Sequence, residues 1–401
     1  MMKIPFSPPD ISELEIAEVV SALRSGWITT GPKTKELEKR MAAYCQTSTF
    51  VCLNSATAAM ELTLRLLGVG VGDEVIVPAY TYTATASVVA HVGATIVMVD
   101  CAKDSLEMDY EQVANAITSK TKVIIPVDLA GIICDYDKIY QIIEAKKHLF
   151  QANSELQKHF NRIVVLSDCA HGFGAMKNGL PAGRHADFTS FSFHAVKNLT
   201  TAEGGGVTWK DESLNQYNLY QQYMEASLHG QSRDALAKMK PGAWEYDIVY
   251  PAYKCNMTDL QAAVGLAQLS RYESMLERRH QIIQAYDEAL KAFDVKTLKH
   301  SGENYCSSGH LYLMNVNGFH EEQRNELIVA LANQGVATNV HYKPLPMMSA
   351  YKKLGFDIKD YPNAYAHYQN EITLPLYSAL SDEQLAYIIE VLQKCLKENL
   401  C

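Results

Sequence analysis

One lysine, Lys197, stands in a setting that favours chemistry over solvation. It follows the aromatic run FTSFSF inside the segment SFHAVKNLTTAEGGG, with Ser192 before it and three consecutive glycines, 204–206, after it. A lysine held beside such a tight turn can lose affinity for its proton and serve as a Schiff-base amine. Most lysines, however, are exposed surface charges. This segment alone therefore leaves both interpretations open.

Three further segments place polar or aromatic residues after predicted strands. LNSATAAMELTL brings Ala56 and Thr57 to the start of a helix, where small residues leave backbone N–H groups free to bind an anion. VPAYTYTATA carries Tyr82, an aromatic side chain that can stack on a flat ring, and VVLSDCAHGFGA ends a strand with Asp168. Taken singly, these segments are more often a helix cap, core packing and a turn.

The order of the four segments is more informative than any one of them. An anion-binding turn, an aromatic residue, an acid and a lysine each follow a successive strand region. Pyridoxal phosphate would use all four, because it carries a phosphate, a flat ring, a basic ring nitrogen and an aldehyde. The combination predicts this cofactor, with Lys197 and Asp168 as the catalytic residues.

The elements that must position these residues alternate between two patterns. From about residue 50 to 210, helical apolar spacing separates short apolar runs, which are FVCL, EVIVP, TIVMVD, KVIIPVD, RIVVLSD, FTSFSF and GGVTW. Such alternation predicts an α/β fold with a mostly parallel central sheet flanked by helices. Ligands of open parallel sheets bind at the carboxyl ends of the strands, where the four segments lie.

The remainder of the chain predicts helices and a second domain. Residues 141–160 have the pattern of an extended helical excursion, and residues 257–293 that of one linking helix, with Thr258 and Asp259 suited to its cap. The last hundred residues mix the strand-like LYLMNV with helices at about 320–333 and 382–398. We predict a large domain over 1–250, including an N-terminal arm, and a smaller α+β domain over 251–401, including the linking helix.

Composition narrows the function classes. The chain has 401 residues and a formal net charge of −9, which argues against nucleic-acid binding as its main function. No apolar run is long enough to span a bilayer, and the opening MMKIPFSPPDISELE lacks the apolar core of a signal peptide. Nine cysteines without a C-x-x-C pair, and dispersed histidines, predict neither disulfides nor a metal site. We expect a cytoplasmic protein without a membrane or nucleic-acid partner.

Six segments together carry a family resemblance. They are LRSGWITTGPKTKELE, NSATAAMELTL, GDEVIVPAYTYTATA, SDCAHGFGA, SFHAVKNLTTAEGGG and YKCNMTDLQAA. In their order and approximate spacing the chain resembles the DegT-type sugar aminotransferases over essentially its whole length, and it is similar to the branch that acts on UDP-4-amino-4-deoxy-L-arabinose. The resemblance implies pyridoxal-phosphate fold type I, with a large domain and a smaller C-terminal one.

The resemblance also implies how the cofactor ring is held. Lys197 would bind the cofactor aldehyde covalently, and Asp168 would pair with the ring nitrogen. Tyr82 would stack on one face of the ring and Ala170 would pack on the other. His171 would support the side of the ring that carries the hydroxyl group.

The phosphate and the partner subunit are implied in the same way. Ala56, Thr57 and Ser192 match the residues that bind the cofactor phosphate. Asn256 matches an asparagine that such enzymes contribute to the neighbouring subunit's phosphate site. Shared sites of this kind imply an obligate homodimer with two-fold symmetry.

For the substrates, the resemblance implies transamination of a UDP- or dTDP-linked 4-keto sugar for surface glycan synthesis, with L-glutamate as the amino donor. Side chains that would contact the substrate are Thr29, Thr30, Arg233, His341 and Tyr342. The family often has a second histidine where Pro346 stands here, so the identity of the sugar, the nucleotide and amination at C3 or C4 stay open.

Two other functional classes occur among the proteins that the chain resembles. Some relatives replace the lysine by histidine and dehydrate sugars, and Lys197 argues against that reaction. Other DegT-type proteins are implicated in regulation without catalysis. The intact pair of Lys197 and Asp168, and the lack of a basic or helix-turn-helix appendage, argue against a regulator.

Overall fold

A seven-stranded sheet forms the centre of the computed structural model, which describes residues 2–232 and 245–399. In spatial order its strands are β1 (Phe50–Leu53), β9 (Gly205–Trp209), β8 (Phe188–Ser192), β5 (Val164–Asp168), β4 (Thr121–Ile124), β2 (Glu74–Pro78) and β3 (Thr95–Val99). Strand β9 is antiparallel to both neighbours, and the other adjacent pairs are parallel. The predicted mostly parallel sheet is confirmed. Each predicted apolar run contains one of its strands, except that β4 begins one residue before KVIIPVD.

Two hydrophobic cores lie on opposite faces of this sheet. Successive residues of a strand point to opposite faces, and the strands divide accordingly: Val51 and Leu53 belong to one core, Phe50 and Cys52 to the other. Burial on both faces explains why these strands are continuous apolar runs without polar alternation.

Helices cover both faces of the central sheet and also contribute to the C-terminal part of the chain. They are α1 (Glu13–Ser25), α2 (Pro32–Tyr44), α3 (Ala56–Leu66), α4 (Ala84–His91), α5 (Tyr110–Ala116), α6 (Tyr136–Ala145), α7 (Glu155–Phe160), α8 (Leu219–Ser227), α9 (Asp259–Ser270), α10 (Tyr272–Leu290), α11 (Glu321–Asn333), α12 (Ser349–Lys353), α13 (Pro362–Tyr368) and α14 (Asp382–Asn399). Among these described helices, none is long and apolar enough to cross a membrane.

Two smaller sheets complete the fold. Strands β10 (Val295–Thr297), β12 (Tyr312–Val316) and β13 (Glu371–Leu374) form an antiparallel sheet in the C-terminal part, and β6 (Met176–Lys177), β7 (Leu180–Pro181) and β11 (Tyr305–Cys306) form the other. A third hydrophobic core joins β12 and β13 to α10, α11 and α14, and Ile4 of the N-terminal arm packs into it. The domain boundary at residue 250 stays a prediction.

Two segments that were each predicted to be continuously helical are interrupted in the structure, so both predictions were wrong on that point. The excursion at 141–160 is interrupted after α6, and α7 begins anew because Ser154 caps it and donates to Leu67 O at 2.7 Å, a carbonyl at the end of α3. The linking helix breaks at Arg271, whose side chain reaches back to Asp10 and Glu15. Distant tertiary partners override local helical propensity at both breaks.

Candidate active site

A cavity of about 480 Å³ opens at the carboxyl ends of the parallel strands. It brings together residues from four of the six segments that carry the family resemblance, from the N-terminal arm and from the C-terminal part. The predicted site residues among its lining are Ala56, Thr57, Tyr82, Asp168, Ala170, His171, Ser192, Lys197, His341 and Tyr342. A second cavity of about 550 Å³, between α10 and the segment 295–301, contains none of the predicted residues. The predicted site residues therefore meet in the smaller cavity.

Lys197 and Asp168 are the charged pair of this cavity. Burial lowers the pKa of Lys197 to about 8, and the Asp168 carboxylate acts against that shift. Burial raises the pKa of Asp168, while hydrogen bonds and the charge of Lys197 lower it. Thr85 Oγ1 donates to Asp168 Oδ2 at 2.7 Å, and the Ala170 N–H donates to Oδ1 at 3.2 Å. The carboxylate is thus fixed in orientation at the end of β5.

The lowered lysine pKa gives a pH prediction for the cofactor-free protein. Only the neutral amine attacks an aldehyde, so covalent capture of pyridoxal phosphate is expected to accelerate as pH rises through about 8, the pKa of Lys197. Asp168→Asn should move the midpoint lower still, because the carboxylate favours the charged amine. The rate of borohydride-trapped labelling against pH measures both, and a midpoint at the ordinary lysine value of 10.5 would contradict the assignment.

The anion-binding turn lies where β1 enters α3. Ser55 caps the helix by accepting the Ala58 N–H at 3.0 Å, so the amides of Ala56 and Thr57 have no acceptor within the helix. Gly205 of β9 passes directly beneath, where a Cβ atom would lie 2.3 Å from Ala56 N. This close approach is the reason for glycine at that position.

Gly205→Ala is therefore expected to push the turn out of place. Overpacking of this kind costs about 1–3 kcal/mol of the free energy of unfolding, and affinity for the cofactor should fall with it. Gly70→Ala is the matched control, since its Cβ would meet only Val92 O at 3.6 Å, an ordinary contact. Thermal unfolding and cofactor titration of the two variants test this, and equal behaviour would refute the role of Gly205.

A hydrogen-bond chain fixes the protonation of His171. Its Nδ1 accepts the Ala130 N–H at 3.2 Å, and burial holds the pKa of His171 well below its usual range. The single ring proton therefore sits on Nε2 and is donated to the Tyr342 hydroxyl at 3.1 Å. The hydroxyl proton of Tyr342 is left available to a molecule in the cavity. His310 packs against the His171 ring at a centroid distance of 4.3 Å, which positions it further.

Sequence reasoning missed several cavity residues. Phe6 and Ser7 come from the N-terminal arm, His310 precedes β12, and Asn339 lies beside β13. Phe6 stacks on His341 with centroids 5.7 Å apart. The histidine in SSGHLYL was a usable signal, since a polar residue directly before a predicted strand can mark a strand end. No local pattern indicated the other three.

Three predicted residues, Thr29, Thr30 and Asn256, do not line this cavity. Thr30 is buried: its hydroxyl donates to Met257 O and accepts from Asn256 Nδ2, both at 2.5 Å. Thr29 is exposed in the same loop. Asp259 accepts the N–H groups of Gly31 and Thr34 at 2.8 and 2.9 Å and so caps α2.

The loop that carries Thr29 and Thr30 is thus tied to the start of α9, and the single chain does not bring it into the cavity. Arg233 lies outside the described residues. Contacts of these residues and of Asn256 with ligands stay predictions.

The residues present suit pyridoxal phosphate. Lys197 offers an amine for its aldehyde, Asp168 a carboxylate for its ring nitrogen, and the amides of Ala56 and Thr57 a place for its phosphate. The half-exposed ring of Tyr82 lines the cavity and offers a surface for stacking. A carboxylate, an amine and an aromatic face line the same cavity, and one such molecule would use all three.

Comparison with known proteins agrees with this arrangement. The model of the DegT/DnrJ/EryC1/StrS aminotransferase family matches residues 9–393. Spore coat polysaccharide biosynthesis protein SpsC of Bacillus subtilis is 35% identical, over 98% of this chain and 97% of its own. An uncharacterized protein of Methanocaldococcus jannaschii, MJ1066, is 36% identical over the full length of both chains.

A solved relative is more similar still. Spr1654 of Streptococcus pneumoniae, described as a sugar aminotransferase, has a TM-score of 0.96 in its PMP-form, with 59% identity over 99% of this chain and 100% of that one. Its PLP-form has the same TM-score of 0.96 at 57% identity. These matches confirm the predicted fold type, the aminotransferase activity and the cofactor. The chain belongs to the DegT/DnrJ/EryC1/StrS aminotransferase family.

Proposed function

We propose that the protein transfers an amino group from L-glutamate to the C4 keto group of a UDP- or dTDP-linked sugar. The observation that carries the reaction type is the placement of Lys197 and Asp168 in one cavity with the anion-binding turn of α3. The product would be a precursor of a surface polysaccharide, as the description of SpsC supports.

Pyridoxal phosphate, when bound, supplies an aldehyde that carries the amino group and a ring that accepts electrons. Asp168 holds the proton at the ring nitrogen by its opposing charge. With the cofactor bound, the Lys197 amine would take the proton from the donor α-carbon. Its burial favours the neutral form that can do so, and its tether gives it a high effective concentration.

The cavity lining contributed by the N-terminal arm and by residues 339–342 supports a sugar as the acceptor. Tyr342 and Phe6 supply aromatic surface, and the hydroxyl of Tyr342 and the amide of Asn339 supply neutral hydrogen-bonding groups. Sugars combine apolar C–H faces with hydroxyl groups, and such a lining suits both.

Direct assay tests the substrate assignment. The purified enzyme is incubated with L-glutamate and a panel of UDP- and dTDP-linked 3-keto and 4-keto sugars, and amino products are detected by mass and located by NMR. We expect amination at C4 of one nucleotide class. Amination at C3, or of no nucleotide sugar, would overturn that part of the proposal.

The working unit in this proposal is a homodimer. One side of α1 exposes large apolar side chains, with Ile16 48% and Leu23 54% accessible. Exposed apolar side chains grouped in this way mark an interface. Asn256 faces Thr30 and not the cavity of its own chain, which supports a role in the partner's site.

The proposed dimer can be tested by its mass and by charged substitutions on α1. Light scattering should give a molecular mass of twice the 44.7 kDa of one chain. The double variant Val20→Glu, Leu23→Glu should lower the measured mass to that of a single chain. Val71→Glu is the control, because Val71 is 92% exposed in a turn outside α1.

Shared sites are tested separately by mixing subunits. Lys197→Ala and Asn256→Ala chains, each inactive alone, should regain activity as heterodimers, since one site then has both residues intact. No recovery on mixing would refute the sharing of sites.

A further inference from the structure

Behind the cavity wall, three side chains are hydrogen-bonded in a line. His341 lines the cavity, and its Nδ1 lies 2.9 Å from Thr373 Oγ1. Thr373 Oγ1 lies 2.6 Å from Glu371 Oε1, and the His341 backbone N–H donates to Glu371 Oε2 at 2.8 Å. Thr373 and Glu371 are fully buried on β13. The line therefore runs from the cavity into the protein interior.

The hydroxyl of Thr373 has one proton and can donate only one hydrogen bond. The protonation of Glu371 therefore decides which group donates and which accepts in each hydrogen bond of the line. When Glu371 is a carboxylate, it accepts the Thr373 hydroxyl proton, and Thr373 must in turn accept a proton from His341 Nδ1. A neutral imidazole carries only one ring proton, and burial lowers the pKa of His341 to about 3. Nε2 is then unprotonated and acts as an acceptor toward the cavity.

When Glu371 is a carboxylic acid, donor and acceptor exchange roles in each hydrogen bond between these side chains. Oε2 already accepts the His341 backbone N–H, so the acid proton belongs on Oε1 and is donated to Thr373. Thr373 then donates its own proton to His341 Nδ1, and the ring proton moves to Nε2. His341 becomes a donor toward the cavity, and no heavy atom needs to move.

The surroundings of Glu371 allow both states. Burial raises its pKa to about 8, and the hydrogen bonds from Thr373 and His341 and the charge of Arg324 act against that shift. The Arg324 guanidinium donates to the backbone carbonyls of Tyr368 and Glu371 and to Asn325, and not to the carboxylate. The other titratable groups that sense this carboxylate are the buried phenols of Tyr80 and Tyr342. Within the described part of the chain the carboxylate thus lacks a direct ion pair, and it can be neutralised by taking up a proton.

We propose that Glu371, acting through Thr373, sets whether His341 Nε2 donates or accepts a hydrogen bond in the cavity, and relays a proton along that line. In the forward direction Nε2–H gives its proton to a substrate oxygen, Nδ1 receives the Thr373 hydroxyl proton, and Thr373 receives the proton of Glu371. One O–H bond forms on the substrate and one breaks on Glu371, which is left as a carboxylate.

This relay would serve a carbonyl acceptor. The keto oxygen of the sugar is an acceptor that must gain protons before it leaves as water, whereas the amino product offers donors. A histidine that changes from donor to acceptor suits both in turn. Its role in turnover rests on the proposed function, whereas the change of tautomer does not. Glu371 and Thr373 are positioning residues in this account, and His341 is the residue that meets the substrate.

Nitrogen NMR of the holoenzyme with ¹⁵N-labelled histidine tests the relay, with the His341 signals assigned by their loss in His341→Gln. We expect the proton on Nε2 at low pH and on Nδ1 at high pH, with a midpoint near the Glu371 pKa of about 8. Glu371→Gln should hold it on Nε2 throughout, because its amide oxygen accepts the His341 N–H and its amide nitrogen donates to Thr373. Thr373→Val should abolish the transition and Thr373→Ser should restore it. A tautomer that does not change with pH, or that changes equally in Thr373→Val, would overturn the proposal.

Half-reaction kinetics test the role in turnover. Thr373→Val should slow the reaction with the keto sugar about tenfold, the worth of one hydrogen bond, and leave the reaction with the amino donor unchanged. Equal slowing of both half-reactions would show a structural role only and refute the catalytic part. If the wild-type enzyme aminates no keto sugar, the proposed function fails while the NMR experiment still decides the relay.

Discussion

Lys197→Ala is expected to abolish turnover and to remove the near-visible absorbance of the bound cofactor. The amine is both the covalent anchor and the group that moves the proton, so its loss removes two functions at once. Turnover should fall by about 10⁴-fold, the upper range for a positioned acid–base group. Steady-state assay and the absorbance spectrum of the purified variant measure the two effects.

Lys210→Ala is the matched control for this variant. Lys210 is another partly buried lysine. It directly follows β9, donates to His185 O at 2.8 Å and lies over the Tyr140 ring, outside the cavity. Its loss should lower stability and leave the absorbance in place. A Lys197→Ala protein that stays yellow and active would refute the assignment of the anchor.

Asp168→Asn has the second-largest expected effect, and it should act on rate more than on binding. An amide is nearly the size of a carboxylate but has no charge to hold a proton on the ring nitrogen. Cofactor binding should be partly retained, whereas turnover should fall by about 10³-fold, as for the loss of a preorganised electrostatic group. Cofactor titration and single-turnover kinetics separate the two quantities.

Thr85 provides a graded control for Asp168. Thr85→Val removes only the hydrogen bond to Oδ2, so its effect should be about tenfold, and Thr85→Ser should restore the rate. Normal turnover in Asp168→Asn would show that the ring nitrogen does not depend on this acid.

The sheet could be predicted from the sequence because its strands are buried on both faces. FVCL, EVIVP and GGVTW form strands with those exact limits, since a continuous apolar run leaves few alternatives. The turn at Ala56, the acid Asp168 and the lysine Lys197 follow such strands, so their convergence at one edge was predictable too. The three glycines 204–206 stood out in the sequence, but only the structure shows that Gly205 approaches Ala56 N.

The rest depended on contacts between distant parts of the chain. Phe6 reaches the cavity because the N-terminal arm packs into the C-terminal core through Ile4. Glu371 lies within the short apolar strand EITL, where an acid would be expected to face solvent, yet it is fully buried beneath His341. The break at Arg271 likewise has a partner far away in sequence, Glu15. Spacing along one sequence carries no signal for such pairs.

The absorbance spectrum of the purified holoenzyme on addition of L-glutamate tests the central claim most directly. We predict that the near-visible band of the aldehyde form falls, that the band of the amine form rises, and that one 2-oxoglutarate is released per site. Lys197→Ala should show no change in either absorbance band and no release of 2-oxoglutarate. A spectrum that glutamate and every other amino acid leave unchanged, with the cofactor bound, would contradict the account.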